Sequence, residues 1–254
     1  MTFDLRDYQA SRKRAVLFDL GGTIFKGRKG RRQIATETLL DLGYSVTKRQ
    51  VAQAYRSLDK YEDPEKASSP SPRVFSKYWN EYNIKFLRRM RIDPRPATVR
   101  ALRTAFAWLY QPPFDEKYQV FPDVLPCLNG VRKAGLRIGA VTNTGQQGPH
   151  TLNILCALGV SGYFEYVVNS YNVRIFKPDP RIFTFALNHF GVSPRETLFI
   201  GDKFEADVLG AFRAGIPPVL LDRGSRTLRR HPKANTCPVI GSLRDLADIM
   251  RLRW

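Results

Sequence analysis

Short apolar runs alternate with amphipathic stretches along the second half of the chain. Four runs have the length of buried strands, at residues 136–141, 164–168, 197–200 and 219–221. The stretches between them predict helices at 124–134 and 149–158, a third that opens at Asp179 and closes at Gly191, and a fourth that follows Phe204 and ends at Gly215. This alternation is typical of a parallel sheet with helices on both faces.

The first part of the chain has a different pattern. One apolar run, at residues 15–18, ends at Asp19, and after it the apolar spacing predicts only helices, at 35–42, 47–61, 74–90 and 97–110. A proline- and serine-rich stretch at 66–73 has the composition of a loop. A helical block directly after the first strand indicates an insertion. We therefore predict an α/β core with a doubly wound, mostly parallel sheet, residues 1–24 and 112–254, and an inserted helical domain, residues 25–111.

The chain is strongly basic. Its 254 residues include 41 lysines and arginines and 23 acidic residues, for a net charge of +18. The predicted insertion holds 19 basic and 8 acidic residues, and the segment 223–254 holds 8 and 2. Excess positive charge attracts anions. We expect weak binding of polyanions through the insertion and the carboxyl-terminal segment, with an unpartnered solvated surface as the alternative.

Cysteine usage and hydropathy indicate the setting of the protein. Cys127, Cys156 and Cys237 have no paired spacing, so we expect neither a disulfide framework nor a zinc site and interpret them as small buried apolar residues. No stretch approaches the ~20 apolar residues that span a bilayer. Charged residues, Asp4 and Asp7 among them, precede the first apolar run, unlike in a signal peptide. We expect a cytoplasmic protein without a membrane partner, and the pattern leaves the oligomeric state open.

Charged and polar residues gather near the ends of the predicted strands. They are Asp19, Thr142, Asn143, Lys177, Asp202 and Asp207. Ligands of doubly wound sheets bind beyond the carboxyl ends of the strands, where the strand order reverses. Two carboxylates ~4 Å apart repel by about 4 kcal/mol at an effective dielectric near ~20, so a convergence of Asp19, Asp202 and Asp207 needs a cation. Mg²⁺ suits a site with few carboxylates and a substrate phosphate, and Lys177 adds a positive charge.

Four segments carry a resemblance to a known family. They are FDLGGT at 18–23, VTNT at 141–144, FKPDP at 176–180 and GDKFEAD at 201–207. In this order and strand context they resemble the motifs of the haloacid dehalogenase-like (HAD) hydrolase superfamily, and the resemblance covers residues 14–24 and 112–222. It implies a Rossmann-like core. Because the insertion lies between the first and second motifs, it also implies the helical cap that the family calls type one.

The resemblance implies a phosphatase mechanism. Asp19 would be the nucleophile and would form an aspartyl-phosphate intermediate. Thr142, the Asn143 amide and Lys177 would bind the transferred phosphoryl group. The expected activity is hydrolysis of a small phosphorylated metabolite, whose identity the sequence does not specify.

The resemblance also implies a Mg²⁺ site, with one departure from the family pattern. Asp19, the backbone carbonyl of Gly21 and Asp202 would hold the ion, with Asp207 in or beside its inner shell. Family phosphatases usually have Asp where this chain has Gly21, and that Asp serves as general acid and base. Since such catalysis typically contributes about 10² to 10⁴ in rate, we expect slow turnover.

Two other kinds of function are compatible with the same residues. Family branches that cleave C–halogen or C–P bonds also lack the second acid. The dehalogenase branch needs no metal, so the segment GDKFEAD argues against it; the C–P branch uses a cap lysine as a Schiff base, and nothing singles out Lys26, Lys29 or Lys48. Alternatively, a catalytically weakened member could bind nucleic acid or an acidic partner, with SRTLRRHPK at 225–233 as the candidate patch.

Overall fold

The computed structural model describes residues 3–58, 63–67, 69, 71–224 and 237–252. Contacts between Cα atoms divide the chain into two units. The α/β unit comprises Met1–Lys26 and Gln119–Trp254, and the helical unit comprises Gly27–Tyr118. The helical unit begins and ends later than the insertion predicted at 25–111, because two short strands, which the sequence pattern does not reveal, pair at its limits.

The described residues contain eight strands. They are β1 (Ala15–Phe18), β2 (Phe25–Gly27), β3 (Tyr118–Val120), β4 (Arg137–Thr142), β5 (Tyr166–Asn169), β6 (Thr197–Gly201), β7 (Pro218–Leu221) and β8 (Val239–Ile240). Six of them form one sheet in the order β5-β4-β1-β6-β7-β8, with each neighbouring pair parallel. The predicted α/β class with a doubly wound parallel sheet is confirmed. The remaining two, β2 and β3, pair with each other.

Among the described residues, eight helices follow the predicted order with shifted ends, and three short helices, at 64–67, 170–173 and 246–250, were not predicted. Together they are α1 (Arg31–Asp41), α2 (Lys48–Leu58), α3 (Pro64–Ala67), α4 (Pro72–Arg89), α5 (Pro96–Ala107), α6 (Val124–Lys133), α7 (Gly148–Ala157), α8 (Ser170–Val173), α9 (Arg181–Phe190), α10 (Leu209–Arg213) and α11 (Leu246–Met250). The helix predicted after Phe204 is divided, since Phe204–Val208 forms a π-helical turn before α10 begins. Short 3₁₀ turns occupy Leu5–Tyr8, Ala10–Arg12, Trp108–Tyr110, Ser161–Tyr163, Pro194–Glu196 and Leu243–Asp245.

Strand β1 lies in the middle of the sheet, and both of its faces are covered. Val16 and Phe18 pack in a core that includes residues of α6 and α11. Ala15 and Leu17 point to the opposite face and pack with residues of α9. All four side chains are fully buried, which explains the continuous apolar run, since a strand buried on both faces does not alternate.

The helical unit has its own core. Buried side chains from α1, α2, α4 and α5 pack together, with Tyr55, Phe86 and Leu102 near its centre. The rings of Tyr55 and Phe86 lie 4.5 Å apart. The helices therefore bury one apolar stripe each, as their spacing predicts.

Of three local expectations, two are wrong and one, the loop at 66–73, holds only for the described residues in the middle of its range. The helical block contains a strand, β2, which was missed because three residues carry no periodic signal. The predicted loop at 66–73 contains the end of α3 and the start of α4. Among the cysteines only Cys127 is buried, whereas Cys156 is exposed and Cys237 half-buried, and none of the three forms a disulfide.

Within the described residues, no helix has the length and apolar character needed to cross a membrane.

Candidate active site

The carboxyl ends of β1 and β6 bring two acidic residues to one edge of the sheet. Phe18 and Ile200 are register partners in these parallel strands, and the N–H of Asp19 continues the ladder by donating to the carbonyl of Ile200 over 2.8 Å. Asp202 follows the last residue of β6. Since the strand order reverses at β1, with β4 on one side and β6 on the other, both acids lie where this fold binds ligands.

Lys177 lies between two carboxylates. Its Nζ donates to Oδ1 of Asp19 over 2.6 Å, to Oδ1 of Asp207 over 2.7 Å, and to the carbonyl of Val141 over 2.7 Å. The Lys177 side chain is only 2% exposed. Burial by itself lowers the pKa of this amine, but Asp19 and Asp207 outweigh it, so the pKa of Lys177 is raised. The buried ammonium therefore stays protonated and holds one oxygen of each acid.

Asp207 is positioned by the π-helical turn and by a glycine. Its N–H donates to the carbonyl of Lys203, and its Oδ2 accepts from the N–H of Lys203 over 2.9 Å. A Cβ on Gly201 would lie 2.4 Å from Cγ of Asp207, so only glycine leaves room for this carboxylate. Both oxygens of Asp207 are thus occupied by protein donors.

Asp19 and Asp202 each present an oxygen without a partner. Oδ2 of Asp19 and Oδ1 of Asp202 are buried and accept no hydrogen bond within the described residues. Ligand atoms of Asp19, Asp202 and Asp207 lie within 4.8 Å of one another. Burial, then the charges of Asp19 and Asp207, raise the pKa of Asp202 to about 7. Orphaned, converging carboxylate oxygens are the donor set that a hard divalent cation requires, so these residues fit a metal ion.

The two adjacent glycines after β1 have different environments. Gly22 has a φ of +94°, and a Cβ there would lie 2.4 Å from Oδ2 of Asp202. At Gly21 the φ is not positive, and a Cβ would meet no atom within 4 Å. The glycine that the backbone requires is therefore Gly22, whereas open space surrounds Gly21.

Thr142 and Asn143 lie at the end of β4, near Lys177. Nδ2 of Asn143 donates to the carbonyl of Lys177, and its Oδ1 accepts from the N–H of Lys177, both over 2.9 Å. Thr142 is the last residue of β4 and is buried. It directly follows Val141, whose carbonyl accepts from Lys177. The Asn143 side chain thus orients the lysine backbone, and phosphoryl binding by Thr142 and by the Asn143 amide stays a prediction.

The structure adds residues that the sequence analysis did not single out. Gly22 and Gly201 accommodate the carboxylates of Asp202 and Asp207. Lys203 supplies the N–H that binds Asp207, and its charge acts on Asp202. All three residues lie inside the motif segments of the sequence. No local pattern distinguishes their roles from those of their neighbours.

The chain combines a doubly wound sheet with an inserted helical unit, and a carboxylate–lysine cluster lies at the switch point of the sheet. This combination defines a class of hydrolases. The family model for haloacid dehalogenase-like hydrolases matches residues 13–215. The chain belongs to this family.

Several relatives at 30% identity or above are named as phosphatases. The chain is 30% identical over 246 residues to the glyceraldehyde 3-phosphate phosphatase of Methanopyrus kandleri, covering 94% of this chain and 97% of the relative. It is 31% identical over 181 residues to the phosphoserine phosphatase of Thermus thermophilus, covering 70% and 69%. A crystal structure of a HAD phosphatase from Thermococcus onnurineus is similar with a TM-score of 0.58 and 25% identity, covering 93% of this chain and 97% of that one.

Proposed function

We propose that this protein is a Mg²⁺-dependent phosphatase of small phosphorylated metabolites that acts through an aspartyl-phosphate intermediate. The observation that carries the proposal is the convergence of Asp19, Asp202 and Asp207 around the buried ammonium of Lys177. The phosphatase names of the relatives support the same reaction class.

Asp19 is the nucleophile in this proposal. Its carboxylate attacks the phosphorus, the bond from phosphorus to the leaving oxygen breaks, and an aspartyl-phosphate forms. Water then attacks the phosphorus, which releases inorganic phosphate and regenerates the Asp19 carboxylate. Lys177 orients Asp19 through Oδ1, and Thr142, the Asn143 amide and Lys177 bind the phosphoryl oxygens.

Asp19, the carbonyl of Gly21 and Asp202 would hold Mg²⁺ in this site. The ion would neutralise carboxylate charge and phosphoryl charge that developed in the transition state. The two carboxylate oxygens of Asp207 accept hydrogen bonds from Lys177 and Lys203. Asp207 would therefore lie beside the inner shell of the ion and position Lys177.

Substrate size and type are proposed from the relatives. Three relatives are named as phosphatases of glyceraldehyde 3-phosphate, phosphoserine and phosphoglycolate. All three compounds are small monophosphates. A panel of these three compounds, assayed with the full-length protein, is expected to include a substrate that is hydrolysed faster than a simple alkyl phosphate.

The test is phosphate release from an aryl phosphate with Mg²⁺ and with excess chelator. Asp19→Asn should abolish turnover, and the matched control Asp41→Asn, at an exposed position of the helical unit, should retain it. Undiminished activity in chelator refutes the metal dependence, and undiminished activity of Asp19→Asn refutes the nucleophile.

Halide release from a 2-haloacid, or phosphate release from a phosphonate but not from esters, would favour the C–halogen or C–P alternatives.

Polyanion binding is a second, separate proposal that rests on the net charge of +18. The candidate patch at 225–233 lies outside the described residues. The proposal therefore depends on the basic charge, and its test is the salt dependence of binding to heparin and to duplex DNA.

A further inference from the structure

The helical unit contains a cavity of about 100 Å³ that the hydrolase chemistry does not use. It lies among α1, α4, α5 and the 3₁₀ turn that follows α5. Its lining includes the aromatic residues Phe75, Trp79 and Phe106 and the polar or charged residues Arg31, Asn83 and Arg103. None of these lining residues is acidic. Among the described residues, the cavity therefore combines aromatic walls and positive charge without a lining carboxylate.

Asn83 presents an unsatisfied amide to this cavity. The residue is only 1% exposed, and neither its Nδ2 nor its Oδ1 has a hydrogen-bond partner in the described part of the chain. Buried polar side chains in native proteins almost always have partners. An unpaired amide in a cavity wall therefore points to a bound molecule that accepts from Nδ2.

Arg103 supplies a fixed positive charge in the same wall. Its Nη1 donates to Oγ of Ser76 over 2.8 Å and to Oδ1 of Asn80 over 3.1 Å. Both partners are neutral, and within the described residues no carboxylate pairs with this guanidinium. Its Nε and Nη2 make no hydrogen bond there either, so they remain available to an anion, and guanidinium groups bind carboxylates in bidentate geometry.

The rest of the wall consists of aromatic and aliphatic side chains and of Arg31. The guanidinium carbon of Arg31 lies 4.1 Å from the ring centroid of Trp79, a contact that keeps this arginine against the aromatic surface. Phe75, Phe106 and Tyr110 add further aromatic surface to the wall. Since an apolar cavity of ~150 Å³ holds a benzene molecule, this one suits a ligand of about four or five non-hydrogen atoms.

We propose that this cavity is a binding site for a short-chain carboxylate. The carboxylate accepts from Arg103 and from Nδ2 of Asn83, and its carbon chain lies against the aromatic walls. Binding does not depend on phosphoryl transfer, so the proposal stands apart from the phosphatase activity and can be tested without substrate or Mg²⁺.

The test is titration of the full-length protein with propionate, with propionamide as the neutral analogue of the same shape. Tryptophan fluorescence and the side-chain amide signals of Asn83 in NMR spectra report on the cavity. We expect saturable binding of propionate in the millimolar range and binding of propionamide weaker by about tenfold or more. Arg103→Gln should weaken propionate to the same extent. The matched variant Arg100→Gln, an exposed arginine on the same helix, should not.

Asn83→Leu provides an independent variant that keeps the branched shape of the side chain with a somewhat larger volume. Replacing an unpaired buried amide by an apolar group of similar shape is close to neutral or stabilising, so this variant should fold, unfold at no lower temperature, and bind propionate at least about tenfold more weakly. The proposal is overturned by an absence of saturable binding in the wild type, as expected if the cavity holds only water. Equal losses in Arg103→Gln and Arg100→Gln, or propionamide binding as tight as propionate, would also overturn it.

Discussion

Nζ of Lys177 lies 2.6 Å from Oδ1 of Asp19, although 158 residues separate them in the chain. The pair is buried, with side-chain exposures of 2% and 8%, and the same ammonium binds Asp207. Burial of an ammonium is unfavourable unless it is paired. The contact therefore links the stability of the α/β unit to the orientation of the proposed nucleophile.

Lys177→Met should destabilise the protein and abolish turnover. The substitution leaves Asp19 and Asp207 buried without their counter-charge, and breaking a buried pair in this way typically costs about 3 to 5 kcal/mol. Urea unfolding measures the loss, with the exposed-lysine variant Lys133→Met expected within about 0.5 kcal/mol of wild type. Adding Asp207→Asn to Lys177→Met should recover part of the loss. A Lys177→Met variant as stable as the Lys133→Met control would contradict this reading.

Gly22→Ala should be more damaging than Gly21→Ala. At Gly22 a side chain meets both a positive φ and the carboxylate of Asp202, and backbone strain of this kind costs about 1 to 3 kcal/mol. At Gly21 the added methyl group meets open space, so the free energy of unfolding should change little. Unfolding curves for the two variants make the comparison, and calorimetric titration with Mg²⁺ should give weaker binding for Gly22→Ala. Equal stability of the two variants would refute the assignment.

Gly21→Asp should raise turnover on alkyl phosphates, by up to about 10² if the carboxylate is well placed. Without this acid, the leaving oxygen departs unprotonated or takes its proton from water, so activated aryl esters should be the better substrates of the wild type. The open space at Gly21 indicates that the variant folds. Turnover on alkyl and aryl phosphates is compared for both proteins, with Mg²⁺ affinity as the control. A folded, metal-binding variant without gain on alkyl phosphates means that another group already supplies the proton.

Asp123 and Arg223 form a second buried network in the α/β unit. Arg223 donates to both oxygens of Asp123, over 2.5 Å and 2.9 Å, and to the carbonyl of Thr23. Ser242 and the N–H of Leu243 also donate to Asp123, each over 2.8 Å. The network therefore links the loop after β1 to the carboxyl-terminal segment.

This network should make folding sensitive to acid. Burial raises the pKa of Asp123, but the hydrogen bonds from Arg223, Leu243 and Ser242 outweigh it and hold this pKa below its usual value of 3.8. Because the folded-state pKa is the lower one, the stabilisation is complete above the unfolded-state pKa and is lost as the pH falls through the folded-state pKa. Asp123→Asn should lower stability by about 2 kcal/mol near neutral pH. Urea unfolding measures the difference in free energy of unfolding between this variant and the wild type, which should shrink as the pH falls towards ~3. A difference that is independent of pH would contradict the role given to Asp123.

Polyanion binding should be weak and should fall with salt. The basic charge of the chain provides phosphate contacts without sequence readout, and such binding weakens steeply as counterions are added. Titration of heparin and of duplex DNA at low and moderate salt measures it. Tight binding that resists salt or depends on base sequence would favour a nucleic-acid function instead.

Local pattern in the sequence determined the elements and the chemistry at their ends. Buried strands appear as continuous apolar runs, helices as periodic ones, and both signals lie within a few neighbouring residues. Since parallel strands end at one edge of a sheet, the positions of Asp19 and Asp202 after their apolar runs were enough to predict that they share an edge. Short strands such as β2 were missed because they carry too few residues for a period.

Only the tertiary structure decided how those side chains pair and what surrounds them. Three features depend on the packing of segments far apart in the chain. Lys177 contacts both Asp19 and Asp207, and Gly22 rather than Gly21 has the positive φ. Asn83 is buried without a hydrogen-bond partner among the described residues. The physical reason is that burial, close approach and the shape of a cavity are set by several elements at once. No local run of residues carries that information.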